Sequence, residues 1–446
     1  MESIWKEKRP ERTGKAGGLP KKTEVAVIGG GMAGILCGWQ LKEAGVDVVI
    51  LEARTIGSGQ TGNTTAKITS QHGLIYQRLA ETFGQETAGR YASASQAAID
   101  EYERLIEKRG ISCGFARLPA YLYTKTKEGG SQLELERTIA VRAGLPASIV
   151  YETDLPFSVK AALKLEQQAQ FHPLEFLYDL ASELEVYEYT WVRHVKEHQI
   201  YTNRGMLRAE KVIFATHFPF PNWPGFYFSK MHQERSYVLA VEGPKVDGIY
   251  YGIDSDGLSF RSADGLVLLG GQGHRTGEEC AHNPFENLYT EAKKLWPGCY
   301  VRACWAAQDC MTLDSLPYIG HFSRLRQDWY VATGFGKWGM TNSMVAAMAI
   351  RDHITGRRNP IWQVFSPQRP MTKTAWNHFF PELRHTAKNF FTWRGPRCPH
   401  MGCRLRWNRA EKTWDCPCHG SRFEKTGNLI DNPAKRNMKN YDRDGI

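Results

Sequence analysis

The feature that most constrains the fold is a strand, a glycine-rich turn and a helix near the start of the chain. Residues 24–28 are apolar after Glu24 and mostly β-branched, which is typical of a buried parallel strand. They lead directly into the sequence Gly-Gly-Gly-Met-Ala-Gly at 29–34, which fits the pattern G-x-G-x-x-G. Apolar residues at helical spacing predict a helix over 32–44, and a second strand over 47–51 ends at Glu52. The segment therefore predicts a β-α-β unit of a doubly wound sheet.

Three glycines of this turn have separate structural roles. Gly29 permits the tight turn, Gly31 lets the backbone approach a pyrophosphate, and Gly34 lets the helix lie close to the strand. The first amides of the helix offer hydrogen-bond donors and a partial positive charge to phosphates. Glu52 lies 23 positions after Gly29, at the end of the second strand. An acid at this position of the motif accepts hydrogen bonds from ribose hydroxyls. The unit predicts a dinucleotide site, against the alternative of a purely structural turn.

Length and charge narrow the class of protein. The chain has 446 residues, which favours two or three domains, and no apolar run approaches the roughly 18 residues of a membrane span. Residues 1–22 are charged and lack the apolar core of a secretory signal, so we expect a cytoplasmic protein. The net charge of +10 is scattered rather than collected in a basic arm. We therefore expect an anionic cofactor, substrate or electron partner, and no nucleic acid.

The loop after the second strand, residues 54–67, is rich in glycine and hydroxyl side chains that suit a long phosphate-bearing ligand. With this loop, the chain resembles the D-amino-acid oxidase family of FAD enzymes, which includes glycine, sarcosine and γ-glutamylputrescine oxidases. The resemblance recurs at 211–216 and at 316–341, where a glycine-rich turn opens a long helix, and it covers residues 22–360. In the family, the N-terminus of that helix faces the flavin and stabilises negative charge on the reduced ring.

The resemblance implies a non-covalently bound FAD, because Cys310 lies off the spacing at which some members attach the cofactor. The residues expected to hold FAD are Gly29, Gly31, Met32, Ala33, Gly34, Glu52, Ala53, Arg54, Gly59, Gln60, Thr61, Val192, Thr216, Gly336, Gly339, Met340 and Thr341.

In this family a hydride equivalent passes from the carbon beside an amine nitrogen to the flavin, and the imine product hydrolyses. The resemblance therefore implies a small amine or amino acid as substrate. Four residues are candidates for tuning the charge near the ring: Lys67, His274, Arg275 and Lys337. For each of them a structural role is an equal alternative. His172, which precedes Pro173, is expected to begin a helix.

Two cysteine–histidine boxes lie near the end of the chain. Cys398-Pro-His400 and Cys416-Pro-Cys-His419 spell C-x-H and C-x-x-H. Two thiolates can hold one iron of a [2Fe-2S] cluster while two imidazoles hold the other. A tetrahedral zinc site is the main alternative, and an inactive remnant the second.

The run C-P-C-H-G-S resembles the second cluster-binding box of Rieske proteins of the cytochrome bc type. That resemblance implies a disulfide between Cys403 and Cys418, which ties the two cluster loops together. Rieske domains build several strands before the first box, whereas residues 374–389 of this chain predict a helix. We therefore expect a domain with a shortened base.

The expected architecture is mixed α/β, with three parts: a charged segment over 1–21, an oxidoreductase over 22–370, and a linker with a small β-rich Rieske domain over 371–446. FAD-binding segments (about 22–80, 165–220 and 305–360) alternate with an antiparallel substrate part (about 90–160 and 225–300). The expected function is a dehydrogenase that passes electrons from flavin through the cluster to an external acceptor, which the sequence does not name. Two alternatives are a peroxide-producing oxidase with a zinc-binding or inactive tail, and a non-catalytic redox protein.

Overall fold

The computed structural model describes residues 2–7, 14, 15, 17–280, 282–390 and 395–438. Parts of the predicted N-terminal segment (1, 8–13 and 16) and of the predicted Rieske domain (391–394 and 439–446) lie outside the described residues.

The described strands form three sheets, and the helices cover them. In chain order the strands are β1 (Lys22–Ile28), β2 (Val48–Leu51), β3 (Lys67–Ile68), β4 (Ala116–Thr124), β5 (Ala147–Val150), β6 (Ala161–Gln170), β7 (Glu185–Tyr187), β8 (Val192–Lys196), β9 (Gln199–Thr202), β10 (Gly205–Phe214), β11 (Met231–Glu242), β12 (Ile249–Gly252), β13 (Ser259–Ala263), β14 (Leu266–Arg275), β15 (Tyr300–Thr312), β16 (Tyr318–Ser323), β17 (Arg326–Thr333), β18 (Arg406–Asn408), β19 (Thr413–Asp415), β20 (Arg422–Glu424) and β21 (Leu429–Asp431). The helices are α1 (Met32–Glu43), α2 (Ile75–Phe83), α3 (Gln85–Arg109), α4 (Lys127–Arg142), α5 (Pro173–Ser182), α6 (Pro284–Leu295), α7 (Gly339–Ile354), α8 (Ile361–Val364) and α9 (Lys373–Phe390).

The first sheet has the order β16-β17-β10-β1-β2-β7, and the β8–β9 hairpin joins it at β10. β1 pairs in parallel with both β2 and β10, so Ile28 lies opposite Leu51 and Phe214. Because the carboxyl ends of parallel strands meet at one edge of a sheet, the glycine turn, Glu52 and Thr216 lie side by side there. The predicted β-α-β unit is confirmed.

The second sheet has the order β15-β11-β14-β13-β12-β4-β6-β3, with β5 added beside β6. Its pairs are antiparallel except β4 with β12. Strands β3 to β6 come between β2 and β7 in the chain, and β11 to β15 come between β10 and β16. The predicted interleaving of a parallel cofactor sheet with a largely antiparallel second sheet is therefore confirmed.

Helices α1 and α7 pack against each other and against the first sheet. α1 is buried from Met32 to Leu41, and α7 is buried over most of its first three turns. A helix enclosed in this way needs apolar or small residues all round rather than along one stripe. Both helices begin at glycine-rich turns, so their N-terminal ends point from the core toward the strand ends described above.

The third sheet is a small antiparallel one with the order β18-β19-β20-β21. The first box precedes it, and the second box lies between β19 and β20. Among the described residues before Cys398 the tail has the predicted helix, α9, and only an isolated bridge from Arg397 to Arg404. The small sheet has its own core, which contains Cys398, Cys403, Leu405, Cys416, Cys418, Phe423 and Ala434.

Among the helices that the structure describes, none combines the length and the apolar composition of a membrane-spanning helix.

Candidate functional site

The glycine turn leaves no room for side chains. Gly29 has a φ of 115°, and a Cβ placed there would overlap the carbonyl of Ala215. A Cβ on Gly34 would overlap the carbonyl of Gly29. Since only glycine fits these two positions, the backbone can turn sharply from β1 into α1 and present its amides at the strand edge.

The start of α1 suits an anion. Its N-cap is Gly31, no acidic residue lies in the first turn, and Thr61 Oγ1 accepts the Met32 N–H at 2.9 Å. The first-turn amides of a helix have no partners within the helix and carry a partial positive charge. Glu52 lies beside them, where its carboxylate accepts the N–H of Gly30 at 2.6 Å and that of Arg54 at 2.8 Å. Burial raises the pKa of Glu52 above its ordinary value. The glycine turn, the N-terminus of α1 with its backbone amides and the adjacent Glu52 carboxylate together fit a dinucleotide.

A cavity of about 450 Å³ extends from this turn. It is lined by all of the predicted FAD residues except Gly34, which packs against the turn, and Thr341, whose hydroxyl bonds to Thr69. The lining therefore brings together segments from β1, β2, β8, β10 and the start of α7. Their individual contacts with FAD stay predictions.

The C-terminal sheet forms one wall of the same cavity, which the sequence did not predict. Arg54 Nη2 donates to the carbonyl of Leu429 at 2.9 Å and to that of Ile430. Asn432 Nδ2 donates to the carbonyls of Thr216 at 2.7 Å and Phe218 at 2.5 Å. The tail residues in the wall are Arg422, Leu429, Ile430, Asp431, Asn432, Ala434 and Lys435.

The two cysteine–histidine boxes come together. The Sγ atoms of Cys403, Cys416 and Cys418 lie within 4.8 Å of one another, and all four cysteines of the boxes are buried. Hydrogen bonds from Cys398, Cys403 and Cys418 hold the pKa of Cys416 well below its ordinary value, so this sulfur is the favoured thiolate. The cysteines are thiols in this structure. The division into ligands Cys398 and Cys416 and a disulfide between Cys403 and Cys418 stays a prediction.

The two histidines of the boxes are arranged as a pair of metal ligands would be. Their rings meet edge to face at 5.0 Å between centroids. The Nδ1 atoms of His400 and His419 are buried and have no hydrogen-bond partner among the described residues. His400 Nε2 donates to Asn222 Oδ1 at 2.8 Å, which leaves the Nδ1 lone pair available. Burial lowers the pKa of His400 to about 3, so its imidazole is neutral. Buried thiols beside two unpartnered imidazole nitrogens fit a cluster with mixed ligands.

Two glutamines connect the cavity to the second box. Gln308 lies in the cavity wall, and its Nε2 donates to Gln233 Oε1 at 2.6 Å and to the carbonyl of Gly420 at 2.8 Å. Gln233 Nε2 in turn donates to the carbonyl of His419 at 2.7 Å. Both side chains are buried. Two hydrogen bonds therefore separate the cavity wall from the backbone of a predicted cluster ligand.

The structure separates the four candidates for charge tuning. Lys337 lies in the cavity wall and pairs with Glu234 at 3.5 Å. Lys67 is outside that wall, in β3, where its side chain is buried and has no partner in the part of the chain that the structure describes. Burial, and then the charge of Arg261, lower the pKa of Lys67 to about 7.

His274 and Arg275 also lie outside the cavity wall. His274 Nε2 bonds to the hydroxyl of Tyr237 at 2.9 Å. Arg275 donates from Nε to the carbonyl of Pro417 at 3.0 Å and pairs with Glu382 at 2.6 Å. Its guanidinium therefore supports the second box.

His172 caps α5 by accepting the N–H of Glu175 at 3.2 Å, so the predicted helix start is confirmed.

Several residues of the cavity wall were not predicted. Gln308, Asp309 and Cys310 reach it from β15, a strand in which buried and partly buried residues do not alternate regularly. Burial raises the pKa of Asp309 to about 6. The signal available in the sequence was Gln308-Asp309, the two polar residues within the otherwise apolar run 304–311.

Comparison with known proteins decides the family. The model described as FAD dependent oxidoreductase (DAO) matches residues 24–353. The chain belongs to this family. A second model, the Rieske [2Fe-2S] domain, matches residues 384–442.

The relatives combine or share these parts. The Rieske 2Fe-2S iron-sulfur protein YhfW of Bacillus subtilis (strain 168) is 31% identical, over 94% of each chain. The γ-glutamylputrescine oxidoreductase of Escherichia coli (strain K12) is 24% identical, over 75% of this chain and 84% of its own. A glycine oxidase from Geobacillus kaustophilus matches 79% of this chain and all of its own, with a TM-score of 0.67 and 20% identity, and so supports the fold.

These findings confirm the predicted family, fold class and cofactors. The protein is an FAD-dependent oxidoreductase with a C-terminal Rieske domain, and it uses FAD and a [2Fe-2S] cluster. The buried cysteines and the two Nδ1 atoms, for which the described residues offer no partner, agree with the cluster rather than with an inactive remnant.

Proposed function

We propose that the enzyme is a dehydrogenase that oxidises a small amine or amino acid at the carbon next to nitrogen. We propose further that its electrons leave through the Rieske centre to an external acceptor. The observation that carries the proposal is the shared wall: residues of the tail line the flavin cavity, and Gln308 and Gln233 connect that wall to the backbone of His419. An oxidase would have no use for a one-electron centre placed there.

When bound, FAD accepts the hydride equivalent from the substrate carbon, and the cluster accepts single electrons. The amine becomes an imine with release of one proton, and water converts the imine to a carbonyl compound and ammonia or an amine. Two electrons per substrate must then reach a one-electron or two-electron acceptor. The choice of amine or amino acid rests on the family and on relatives such as the γ-glutamylputrescine oxidoreductase.

The protein supplies charge at one end of the cavity. The pKa of Lys337 is raised although burial lowers it, because Tyr251, Glu234 and Asp309 favour the cation. The pKa of Glu234 is lowered to about 2, because His232 and Lys337 outweigh the effect of burial. Lys337 is therefore a cation at neutral pH, and we assign to it the attraction of a substrate carboxylate or of negative charge on the reduced ring.

The experiment compares the wild type with His400→Ala under anaerobic conditions. Glycine, sarcosine, proline and putrescine are mixed with each protein, and flavin bleaching is followed in single and multiple turnover with ferricyanide as acceptor. We expect a substrate of this panel to bleach the flavin in both proteins. We expect His400→Ala to lose the cluster's EPR signal and most of the multiple turnover, because the external acceptor no longer receives electrons.

His378→Ala is the matched control, since His378 is exposed on α9. It should keep the EPR signal and the turnover. Stoichiometric hydrogen peroxide from the wild type in air would instead establish the oxidase alternative. Flavin that none of the four compounds bleaches would contradict the proposed substrate class.

A further inference from the structure

A row of aromatic rings leads from the two predicted histidine ligands to the protein surface. Phe228 meets His419 edge to face at 5.9 Å and His400 at 6.5 Å between centroids. Phe226 lies 6.0 Å beyond Phe228, and Trp223 lies 5.2 Å beyond Phe226. Trp223 is 65% exposed, which is unusual for the largest apolar side chain. The row therefore ends in solvent, on the histidine side of the cluster site.

Helix α9 places a second set of apolar side chains beside that end. Trp376, Phe380 and Leu383 are 46%, 62% and 55% exposed, and their spacing of four and three residues puts them on one face of the helix. Trp376 stacks on Phe380 at 5.8 Å. One surface depression is lined by both Phe226 and Met371, which joins the helix to the ring row. We call the combined face the aromatic surface: Trp223, Phe226, Met371, Trp376, Phe380 and Leu383.

Cations outnumber acids in the segment that carries most of the aromatic surface. Residues 357–390 contain six lysines and arginines but a single acid, Glu382. That acid pairs with Arg275 at 2.6 Å. Arg324 is exposed and lines the same depression as Phe226, whereas the carboxylate of Asp314 in that depression is held by Arg369 at 2.6 Å. The exposed cations of α9 (Lys373, Arg384 and Lys388) and Arg324 therefore outnumber the acids beside them, which are Glu382 and Glu278, the partner of His385 at 3.4 Å.

We infer that the aromatic surface docks the protein on an anionic lipid bilayer, with α9 in the headgroup region. Large apolar side chains along one face of a helix, with lysine and arginine at the sides, are the pattern of interfacial helices. Tryptophan favours the membrane–water boundary, and cations near it are attracted by anionic lipids. An acidic partner protein would match the charge but would not require so many exposed aromatic rings.

Docking in this orientation brings Trp223 to the lipid, and with it the outer end of the ring row. An acceptor of the quinone class dissolved in the bilayer, which takes up two electrons and two protons to become a quinol, would then meet the side of the protein nearest the cluster. This consequence rests on the proposed function, whereas the binding to lipid does not.

The test is co-sedimentation of the flavin-loaded protein with vesicles. Vesicles of phosphatidylcholine mixed with phosphatidylglycerol are compared with vesicles of phosphatidylcholine alone, at low and at high salt. We expect binding to the anionic vesicles, weaker binding at high salt, and about tenfold or more weakening in Leu383→Glu and Phe380→Glu. Because both side chains are more than half exposed, the variants should keep their flavin and circular dichroism.

Leu135→Glu is the matched control, because Leu135 is a leucine exposed by 44% on α4, and the substitution changes the net charge equally. It should leave vesicle binding unchanged. Absence of wild-type binding to anionic vesicles, or equal loss in Leu135→Glu and Leu383→Glu, would overturn the inference. So would light scattering in which the wild type is a dimer that Leu383→Glu dissociates, since a second copy would then cover the face. Vesicle binding without amine oxidation would refute the proposed function and leave the inferred membrane docking intact.

Discussion

Glu411 joins the Rieske domain to the second sheet through a buried ion pair. Its carboxylate accepts Arg235 Nε at 2.9 Å and also Arg235 Nη2, and it pairs with Arg422 at 2.9 Å. The Arg235 side chain is 1% exposed, and that of Glu411 is 11% exposed. The pKa of Glu411 is lowered, because the two guanidinium groups outweigh the effect of burial. The residue is therefore an anion throughout the neutral range.

Glu411→Gln keeps the shape of the side chain and removes the charge. Arg422 retains Asp415 at 3.1 Å and Asp431 at 3.2 Å, so the loss falls on Arg235. Arg235 would keep the bond to Gln308 at 3.3 Å and one neutral hydrogen bond to the new amide oxygen, but its charge would lose the carboxylate. Removing one partner of a buried pair costs about 3–5 kcal/mol. With a urea dependence of roughly 2 kcal/mol per molar, the unfolding midpoint of the tail should fall by about 2 M.

The assay follows urea unfolding by the visible circular dichroism of the cluster and by flavin fluorescence. We expect the cluster signal of Glu411→Gln to disappear at lower urea, while the exposed control Glu424→Gln stays within about 0.5 kcal/mol of wild type. Equal midpoints for the wild type and Glu411→Gln would refute the reasoning, because they would mean that Arg235 does not depend on this carboxylate.

Three further predictions follow from the cavity and its surroundings. Gly34→Ala should abolish flavin binding, because the new Cβ would overlap the carbonyl of Gly29; a yellow purified variant would contradict this. Lys67→Met should stabilise the protein at pH 7 by about 4 kcal/mol, since burial, with no counter-ion among the described residues, lowers the pKa of Lys67 from 10.5 to about 7. This gain should fall below about 1 kcal/mol near pH 10 and vanish above about pH 11, where the unfolded lysine is also neutral, and a pH-independent difference in thermal unfolding would exclude the mechanism. Burial raises the pKa of Asp309 from 3.8 to about 6, so the folded protein favours the protonated carboxyl. The resulting stabilisation is complete below pH 3.8 and is lost as the pH rises to 6 and above. Asp309→Asn should therefore flatten the stability profile between pH 4 and 7, and a profile parallel to that of the wild type would refute the assignment.

The local motifs of both cofactors could be predicted because neighbouring residues carry their chemistry. A strand, a glycine-rich turn and a helix end lie within about thirty residues, so the sequence shows the phosphate site as one local motif. The two boxes likewise place four sulfurs and two imidazoles within 22 residues. The predicted FAD residues line the cavity for the same reason, since they follow the ends of neighbouring parallel strands.

The candidates for charge tuning were harder to judge from the sequence. Lys67 ends the glycine-rich loop, Lys337 lies in the second glycine-rich turn and Arg275 ends a predicted strand. Nothing in the sequence near them shows which of these cations reaches the ligand. Packing places Lys337 in the cavity wall, buries Lys67 with no partner in the described part of the chain, and directs Arg275 to the carbonyl of Pro417. The side chain's direction and its neighbours, rather than its position in a motif, decide which of these charges can act on a ligand.

The sequence by itself determined that the protein has two redox sites, because each site is built from ligands close together in the chain. Only the tertiary structure decided that the sites share a wall. Arg54 meets Leu429 across 375 positions, and Gln308 meets Gly420 across 112. Such contacts leave no periodic pattern in the sequence, because they depend on how three sheets pack and not on the spacing within any one of them.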